Sequence, residues 1–471
     1  MARVDEELEY AGLERQAELV ATGEVSSATL VEASLQRAEA LQPLLHPFRL
    51  ILADEARAAA AEADRRLAAG ERAPLLGVPV AIKDDVDLAG QTTPFGCGGE
   101  HCVAEADSEV VRRLRAAGAV IVGKTMTPEV GLWPFSENPT FGAARNPWNP
   151  DHTPGGSSGG AAAAVAAGIV PGAIGSDGAG SVRIPAAWCG LVGLKPQRGR
   201  ISTWPDPESF NGLSCFGPIA RTVGDTALLL DVAAGNHSGD LHRPPEASEP
   251  FVAAAHRDPG RLRIALSFAT PLGVASKVDG HVRTAIERVA RSLGELGHEI
   301  VRADPPYGLV GPALVPRGSA GVRVWCERVP DRSVLEPRTR VAARVGRALG
   351  GPPLKIARRA ERGLQRRIGR IFDRADVVLT PTTAFAAPRV GSMDGQGWWK
   401  TGSTSSALCP FAFAWNVLGW PALSVPAGHT ASGLPIGAQL LGRECDEATL
   451  LALGSQLEAS DGWPDRRPAL S

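Results

Sequence analysis

The sequence predicts an α/β protein in which a large β-sheet is covered on both faces by helices. Short, almost uncharged runs rich in Val, Ile and Leu alternate with longer amphipathic segments along the whole chain. Runs of that kind are typical of strands buried on both faces, because a half-exposed strand would alternate apolar with polar residues. The chain has 471 residues, of which 44% are hydrophobic and 21% charged, and contains neither internal repeats nor a low-complexity linker. We therefore expect one domain over 1–471.

The predicted helices show apolar residues at helical spacing and end at breakers such as Gly70 and Gly118. In chain order they cover 5–40, 49–70, a segment that begins at Ser108, a short Ala-rich run after 160, 225–234, 280–296 and 446–459. The segment 344–374 has ten Lys or Arg against Glu361 and Asp373 and is predicted to be a helix with a solvated basic face. A membrane-surface or anionic-substrate role for that face is the alternative.

The predicted strands are the short apolar runs that lie between these helices. In chain order they cover 76–85, 119–122, a short run before Gly175, 191–196, 263–266, 376–383, 416–426 and 433–441. The segment 236–260 is rich in His, Pro, Glu and Asp and is expected to be a surface connection. The region 236–375 is expected to be more variable, rich in helix and on the substrate side.

Composition excludes several classes of function. The net charge of −2 gives no electrostatic reason to expect nucleic acid as a partner. The acidic N-terminus does not have the apolar core of a signal peptide, and the uncharged run 155–176 is too rich in Gly and Ser to span a membrane. We expect a soluble, cytoplasmic protein without stable membrane insertion.

The seven cysteines indicate neither a disulfide scaffold nor a metal site. Their number is odd and they are scattered, as expected in a reducing compartment. Cys97, His101 and Cys102 lie close together, but no second pair completes four ligands. We expect free thiols and no metal.

Two glycine-rich turns that present serines stand out between 153 and 186. No lysine follows the glycines of the first turn, which excludes a phosphate-binding loop. The run from Gly156 to Gly160 does satisfy the G-x-S-x-G pattern of α/β-hydrolases, which would make Ser158 a nucleophile that requires a histidine. None of the downstream histidines lies in a distinctive loop context.

The second turn, Gly178 to Ser181, offers successive main-chain N–H groups beside a serine hydroxyl, which is how an oxyanion hole is built. A serine nucleophile also needs a base. Lys83 ends an apolar strand candidate, and burial there would keep its amine neutral. An ordinary solvent-facing lysine is the alternative interpretation.

These motifs identify the sequence as resembling the amidase signature family, and the resemblance extends over most of the chain. The matching segments, in order, are 77–84, 123–125, 154–160, 175–186, 190–196, 217–221, 379–381 and 433–439. The resemblance implies a large mixed β-sheet covered on both faces by helices, a catalytic set of the Ser–cis-Ser–Lys type, and no cofactor.

Carried over position by position, the resemblance implies Ser181 as nucleophile, Ser157 as a relay serine after a cis peptide bond, and Lys83 as base. It also implies an oxyanion hole and a set of supporting residues. The oxyanion hole would comprise the N–H groups of Gly178, Ala179, Gly180 and Ser181, and the supporting residues would be Ser158, Asp177 and Arg183. The family commonly has two glycines before the nucleophile, whereas this chain has Ala179-Gly180.

The implied reaction is hydrolysis of a C–N bond through an acyl-enzyme on Ser181, in a small-molecule amide or carbamate. Aromatic residues near the motifs or in loops favour hydrophobic or aryl amides, anilides or urethanes. They are Trp133, Phe135, Trp148, Trp188, Trp204, Phe210, Phe216, Trp398, Trp399 and Trp415. We expect a monomer or homodimer. Three alternatives stay open: a glutamine-hydrolysing amidotransferase component that works with a partner protein, a histidine-dependent hydrolase using Ser158, and a non-catalytic binding protein. The amidotransferase class usually has Gln where this chain has Ile184.

Overall fold

The computed structural model describes residues 7–470, in which one mixed sheet of eleven strands forms the centre of the molecule. In sheet order the strands are β1 (Phe48–Ile51), β3 (Val120–Thr125), β2 (Pro79–Lys83), β6 (Gly172–Asp177), β8 (Cys215–Ala220), β7 (Val192–Lys195), β12 (Ala422–His429), β13 (Pro435–Leu441), β11 (Val377–Pro381), β9 (Arg263–Leu266) and β10 (Glu299–Arg302). Parallel pairs such as β2 with β3 and antiparallel pairs such as β6 with β8 occur in the same sheet. A small hairpin of β4 (Glu137–Asn138) and β5 (Gly142–Ala143) stands apart from it.

Helices pack on both faces of this sheet, so the predicted fold class is confirmed. Along β2, Val80 and Ile82 belong to one hydrophobic cluster and Ala81 to the other. Successive side chains of a strand point to opposite faces, so a strand with apolar residues at every position contributes to the hydrophobic core on each side of the sheet. The helices are Leu13–Thr22, Ser27–Leu45, Ala53–Ala68, Glu109–Ala116, Gly159–Ala166, Arg183–Cys189, Val223–Ala233, Phe251–Ala255, Gly280–Glu295, Gly311–Glu327, Pro337–Leu349, Pro352–Ile368, Trp398–Leu408, Phe413–Leu418 and Glu447–Asp461.

Three predicted elements were wrong in extent or type. Of the predicted helix over 5–40, residues 5 and 6 lie outside the described part of the chain. The rest is interrupted at 10–12 and again after Thr22, and its last part runs on to Leu45. The basic segment is two helices, which the Gly350-Gly351 pair separates because glycine stabilises helices poorly. Residues 413–418, assigned in part to a strand, form a fully buried helix that Gly419 ends in the left-handed conformation. Burial hides helical periodicity, because every position is then apolar.

Two further expectations concern membrane spans and metal sites. Among residues 7–470, no helix combines the length and apolarity needed to cross a bilayer. The same part of the chain contains no group of three potential metal ligands, and its cysteines are free thiols. Residues 263–266 and 299–302 place two strands of the central sheet within the region expected to be rich in helix.

Candidate active site

Two parallel neighbouring strands bring the predicted base next to the serine turns. β2 pairs with β6 through Ala81 with Ala173 and Ile82 with Ile174, so the carboxyl ends of both strands lie at the same edge of the sheet. β2 ends at Lys83, whose side chain is fully buried. Its Nζ lies at the hydrogen-bonding distance of 2.7 Å from both Ser157 Oγ and Ser176 Oγ.

Burial lowers the pKa of Lys83 from its ordinary value, while the carboxylates of Asp85 and Asp177 oppose that effect. Removing an ammonium group from water disfavours its charged form. A lysine that loses its proton more readily is better suited to accept one from a neighbouring hydroxyl. The geometry therefore offers Ser157 a base at hydrogen-bonding distance.

Ser157, the predicted relay serine, follows a glycine that no other residue can replace. A Cβ on Gly156 would lie 2.4 Å from the backbone N of Phe135, so only glycine fits. The peptide bond between Gly156 and Ser157 is cis, as the resemblance implied. Gly159 then begins a helix whose residues are all buried and which fixes this turn against the sheet.

The nucleophile turn joins β6 to the helix Arg183–Cys189. Gly180 has φ +118°, and a Cβ there would lie 2.6 Å from Ala412 Cβ. Its N–H donates to Asp177 Oδ1 at 2.7 Å. The prediction that Gly180 belongs to the oxyanion hole is therefore corrected, because its N–H already has a partner inside the protein. Within the described chain, no such partner takes the N–H groups of Gly178, Ala179 and Ser181.

A buried ion pair holds the nucleophile turn in place. Arg183 Nη2 lies 2.9 Å from Asp177 Oδ1, and neither side chain is exposed. Burial alone would raise the pKa of Asp177, but the Arg183 guanidinium outweighs it and holds that pKa well below its usual range. Arg183 also donates to Asn416 Oδ1 at 2.7 Å and Gln439 Oε1 at 2.6 Å. Sequence reasoning missed Asn416 and Gln439, which lie in or beside C-terminal elements that are distant along the chain.

We expect Arg183→Leu to lower the free energy of unfolding by about 3–5 kcal/mol, because it leaves the Asp177 carboxylate buried and unpaired. Urea unfolding of the purified variant measures this. The control is Arg389→Leu, which breaks the exposed pair of Arg389 with Asp151 and should cost less than about 1 kcal/mol. Equal stability of the two variants would contradict the interpretation of Arg183 as a brace.

Ser158 has the contacts of a supporting residue rather than those of an exposed G-x-S-x-G nucleophile. Its side chain is fully buried, and its Oγ donates to the Ser176 carbonyl and accepts from the Ser176 N–H, both at 3.2 Å. Its own N–H donates to the Ser181 carbonyl at 3.2 Å. Ser158 thus links the two turns and β6, as a supporting residue would.

Two polar residues beside Lys83 were missed in the sequence. Ser176 Oγ donates to Asp85 Oδ2 at 2.6 Å, and the same oxygen lies 3.1 Å from Lys83 Nζ. Both residues lie beside predicted site residues, since Asp85 is two residues after Lys83 and Ser176 directly precedes Asp177. Their proximity depends on the pairing of β2 with β6, which the sequence does not state.

A pocket of about 270 Å³ opens onto Ser157, Ser181 and the exposed Ala179. Of the described residues that line it, Asp85 alone has a charged side chain. The apolar and aromatic residues of the lining are Leu132, Trp133, Pro134, Ile184, Phe210, Leu213, Leu314, Val315, Val322, Trp325, Trp398 and Phe413. Sequence reasoning had included Trp133, Phe210 and Trp398 but not Trp325 or Phe413. Trp188 and Trp415, which it also named, are core residues without exposed surface.

The profile of the Amidase family matches residues 29–451. A putative amidase of Mycobacterium tuberculosis is 52% identical over 452 residues, which cover 95% of this chain and 93% of that protein. A glutamyl-tRNA(Gln) amidotransferase chain of Roseiflexus castenholzii is 38% identical, with 96% of each chain covered.

Solved structures of similar proteins cover the whole length of the fold. A 6-aminohexanoate cyclic dimer hydrolase aligns with a TM-score of 0.90 and 32% identity, over 98% of this chain and 99% of that chain. A bacterial aryl acylamidase of the amidase signature enzymes aligns with a TM-score of 0.84 and 27% identity, over 98% and 99%. On the family match and these relatives, the chain belongs to the amidase signature family, whose enzymes hydrolyse the C–N bonds of amides.

Proposed function

We propose that this protein hydrolyses hydrophobic, uncharged small-molecule amides, anilides or carbamates through an acyl-enzyme on Ser181. Ser157 relays protons and Lys83 is the base. The observation that carries the substrate class is the pocket beside Ser181, whose walls are apolar and aromatic. An anionic substrate group placed there would lose its hydration without gaining a cationic partner, since the described lining contains neither Arg nor Lys, and this costs several kcal/mol.

The first half of the reaction builds the acyl-enzyme. Ser181 Oγ attacks the substrate carbonyl carbon and passes its proton to Ser157 Oγ. Ser157 in turn gives its own proton to neutral Lys83 Nζ, 2.7 Å away. The same route, in reverse, returns a proton to the leaving nitrogen as the C–N bond breaks. This leaves an ester on Ser181 and releases a neutral amine.

The developing oxyanion requires hydrogen-bond donors that are already in place. The N–H groups of Gly178, Ala179 and Ser181 are the candidates, and Gly180 shapes the turn while its N–H binds Asp177. Because the Arg183–Asp177 pair fixes this turn, the donors do not need to reorganise when charge appears.

Water completes the cycle in the second half. It attacks the ester carbonyl as Ser157 and Lys83 take up one of its protons, and collapse of the intermediate returns that proton to Ser181 Oγ. The product is a carboxylic acid from an amide or anilide, and a carbonic acid monoester from a carbamate. Each group ends in the state in which it began, so the chain's own residues complete the turnover.

The glutamine-hydrolysing alternative is the main competitor, since a glutamyl-tRNA(Gln) amidotransferase chain is among the relatives. Glutamine carries an α-ammonium and an α-carboxylate, and recognition of that carboxylate ordinarily uses an arginine. The described lining contains neither Arg nor Lys. The names of two structural neighbours, an aryl acylamidase and a cyclic dimer hydrolase, point instead to small-molecule amides.

A substrate panel tests this proposal. We expect kcat/KM for a neutral anilide with an apolar acyl group to exceed that for glutamine by at least about 10³-fold, because buried charges without partners cost several kcal/mol. The matched control is the same anilide with a terminal carboxylate on its acyl chain, which should be a poor substrate. Preference for glutamine, together with copurification of a partner protein, would replace the proposal with the amidotransferase function.

A further inference from the structure

Asp85 is the third polar partner of the Lys83 amine, after Ser157 and Ser176. Lys83 Nζ is within 3.1 Å of Asp85 Oδ2 and within 2.7 Å of both Ser157 Oγ and Ser176 Oγ. A neutral amine has two N–H donors and one lone pair. If Ser176 and Asp85 accept the two N–H bonds, the lone pair is left to face Ser157, which is the orientation that proton transfer requires.

The second oxygen of Asp85, Oδ1, has no hydrogen-bond partner among the described residues. Ser108 Oγ likewise has none within that part of the chain, and both atoms are buried. Both residues line a small cavity of about 20 Å³ next to the substrate pocket, with which it shares Asp85, Ser176 and Trp325. Ser108 is the N-cap of the helix Glu109–Ala116, yet its side chain makes no capping hydrogen bond. A cavity of this size, lined by two polar atoms without partners, fits one water molecule.

We propose that Asp85 is a positioning residue that orients Lys83 toward Ser157, and that a water bound by Asp85 Oδ1 and Ser108 Oγ holds this carboxylate in place. The inference depends on the proposed role of Lys83 as base. Neither Asp85 nor Ser108 contacts the reacting atoms. Their effect on the reaction passes through the orientation and proton affinity of the Lys83 amine.

The charges around this site fix the sign of the expected effect. Lys83 is faced by Asp85 and Asp177, and both carboxylates favour its protonated form. Asp177 is paired with Arg183, so its effect on the pKa of Lys83 should be the same in the wild type and in a variant of Asp85. The cavity behind Asp85 is also lined by Asp87, Asp206 and Arg328, the last two of which pair with each other.

The test is the pH dependence of kcat/KM for Asp85→Asn on a substrate without ionisable groups. Removing the charge lowers the pKa of Lys83 further, and the neutral lysine is the active form. The acidic limb of the profile should therefore move to lower pH by about 1–3 units. The plateau should fall by about tenfold, because the lone pair is less well oriented.

Asp84→Asn is the matched control for this experiment. Asp84 is adjacent in sequence and equally buried, but it pairs with Lys124 and Arg49 and not with Lys83. Its variant should keep the acidic limb of the wild type, whatever its stability. An unmoved limb in Asp85→Asn, or an equal shift in both variants, would overturn the inference.

Two further measurements keep the inference falsifiable. If Asp85→Asn does not fold, Ser176→Ala removes one N–H acceptor of Lys83 and should lower kcat by about tenfold with KM unchanged. An unchanged kcat would count against it. A high-resolution crystal structure should show water within hydrogen-bonding distance of Asp85 Oδ1 and Ser108 Oγ, and a dry cavity would refute the water site. An acidic limb that persists in Lys83→Ala would instead refute the proposed base.

Discussion

Replacing Ser181 by alanine should reduce amide turnover by about 10⁴-fold or more and abolish covalent labelling by a fluorophosphonate probe. The reason is that the acyl-enzyme forms on this hydroxyl. Without it, substrate binding and the oxyanion hole supply only a small part of the rate acceleration. Steady-state kinetics and intact-protein mass spectrometry measure the two effects.

Ser405→Ala is the control for the loss of a hydroxyl from the same pocket. Ser405 lines the same pocket but belongs to the helix Trp398–Leu408, so it lies outside both serine turns. This variant should still be labelled on Ser181. Labelling that persists in Ser181→Ala, or that maps to Ser158, would contradict the assignment of the nucleophile.

Replacing Lys83 by alanine should lower kcat/KM by about 10²–10⁴-fold, with the largest loss near neutral pH. In the wild type the rate should rise with pH through the pKa of Lys83, which burial lowers from its ordinary value, because the neutral amine is the base. Without the lysine that acidic limb should disappear. A pH–rate profile for both proteins on an uncharged anilide tests this.

Lys124→Ala controls for the removal of a buried lysine as such. Lys124 lies on the neighbouring strand β3, is equally buried, and binds Asp84 and Thr93 rather than the serine turns. It should lose stability but keep the acidic limb. A Lys83→Ala protein with an unchanged rate and profile would exclude Lys83 as base.

Some elements of the fold have a local signal in the sequence and others do not. Strands such as 263–266 were predicted with their observed limits, because short apolar runs between breakers are local signals. The helix 413–418 was not predicted because it has no local signal of this kind. Every residue in it is buried, so its composition does not show the helical period.

The serine turns and Lys83 could be singled out in the sequence because glycine-rich motifs and a lysine after an apolar strand are local patterns. Asp85 and Ser176 belong to the same motifs, but their contact with Lys83 arises from the pairing of β2 with β6. Asn416 and Gln439 reach Arg183 across more than 230 residues of chain. Spacing along the sequence does not reveal such contacts.

The sequence by itself determined the α/β class, the family and the positions of Lys83, Ser157 and Ser181, since each rests on a pattern within a few residues. Only the tertiary structure decided which groups surround those side chains. It gave the Gly180 N–H to Asp177, buried Ser158 against β6, and placed Trp325 and Phe413 in the pocket wall. The partners of a side chain, its burial and the availability of a backbone N–H depend on which elements pack around it. That packing is decided only when strands distant in the sequence pair and helices cover the sheet.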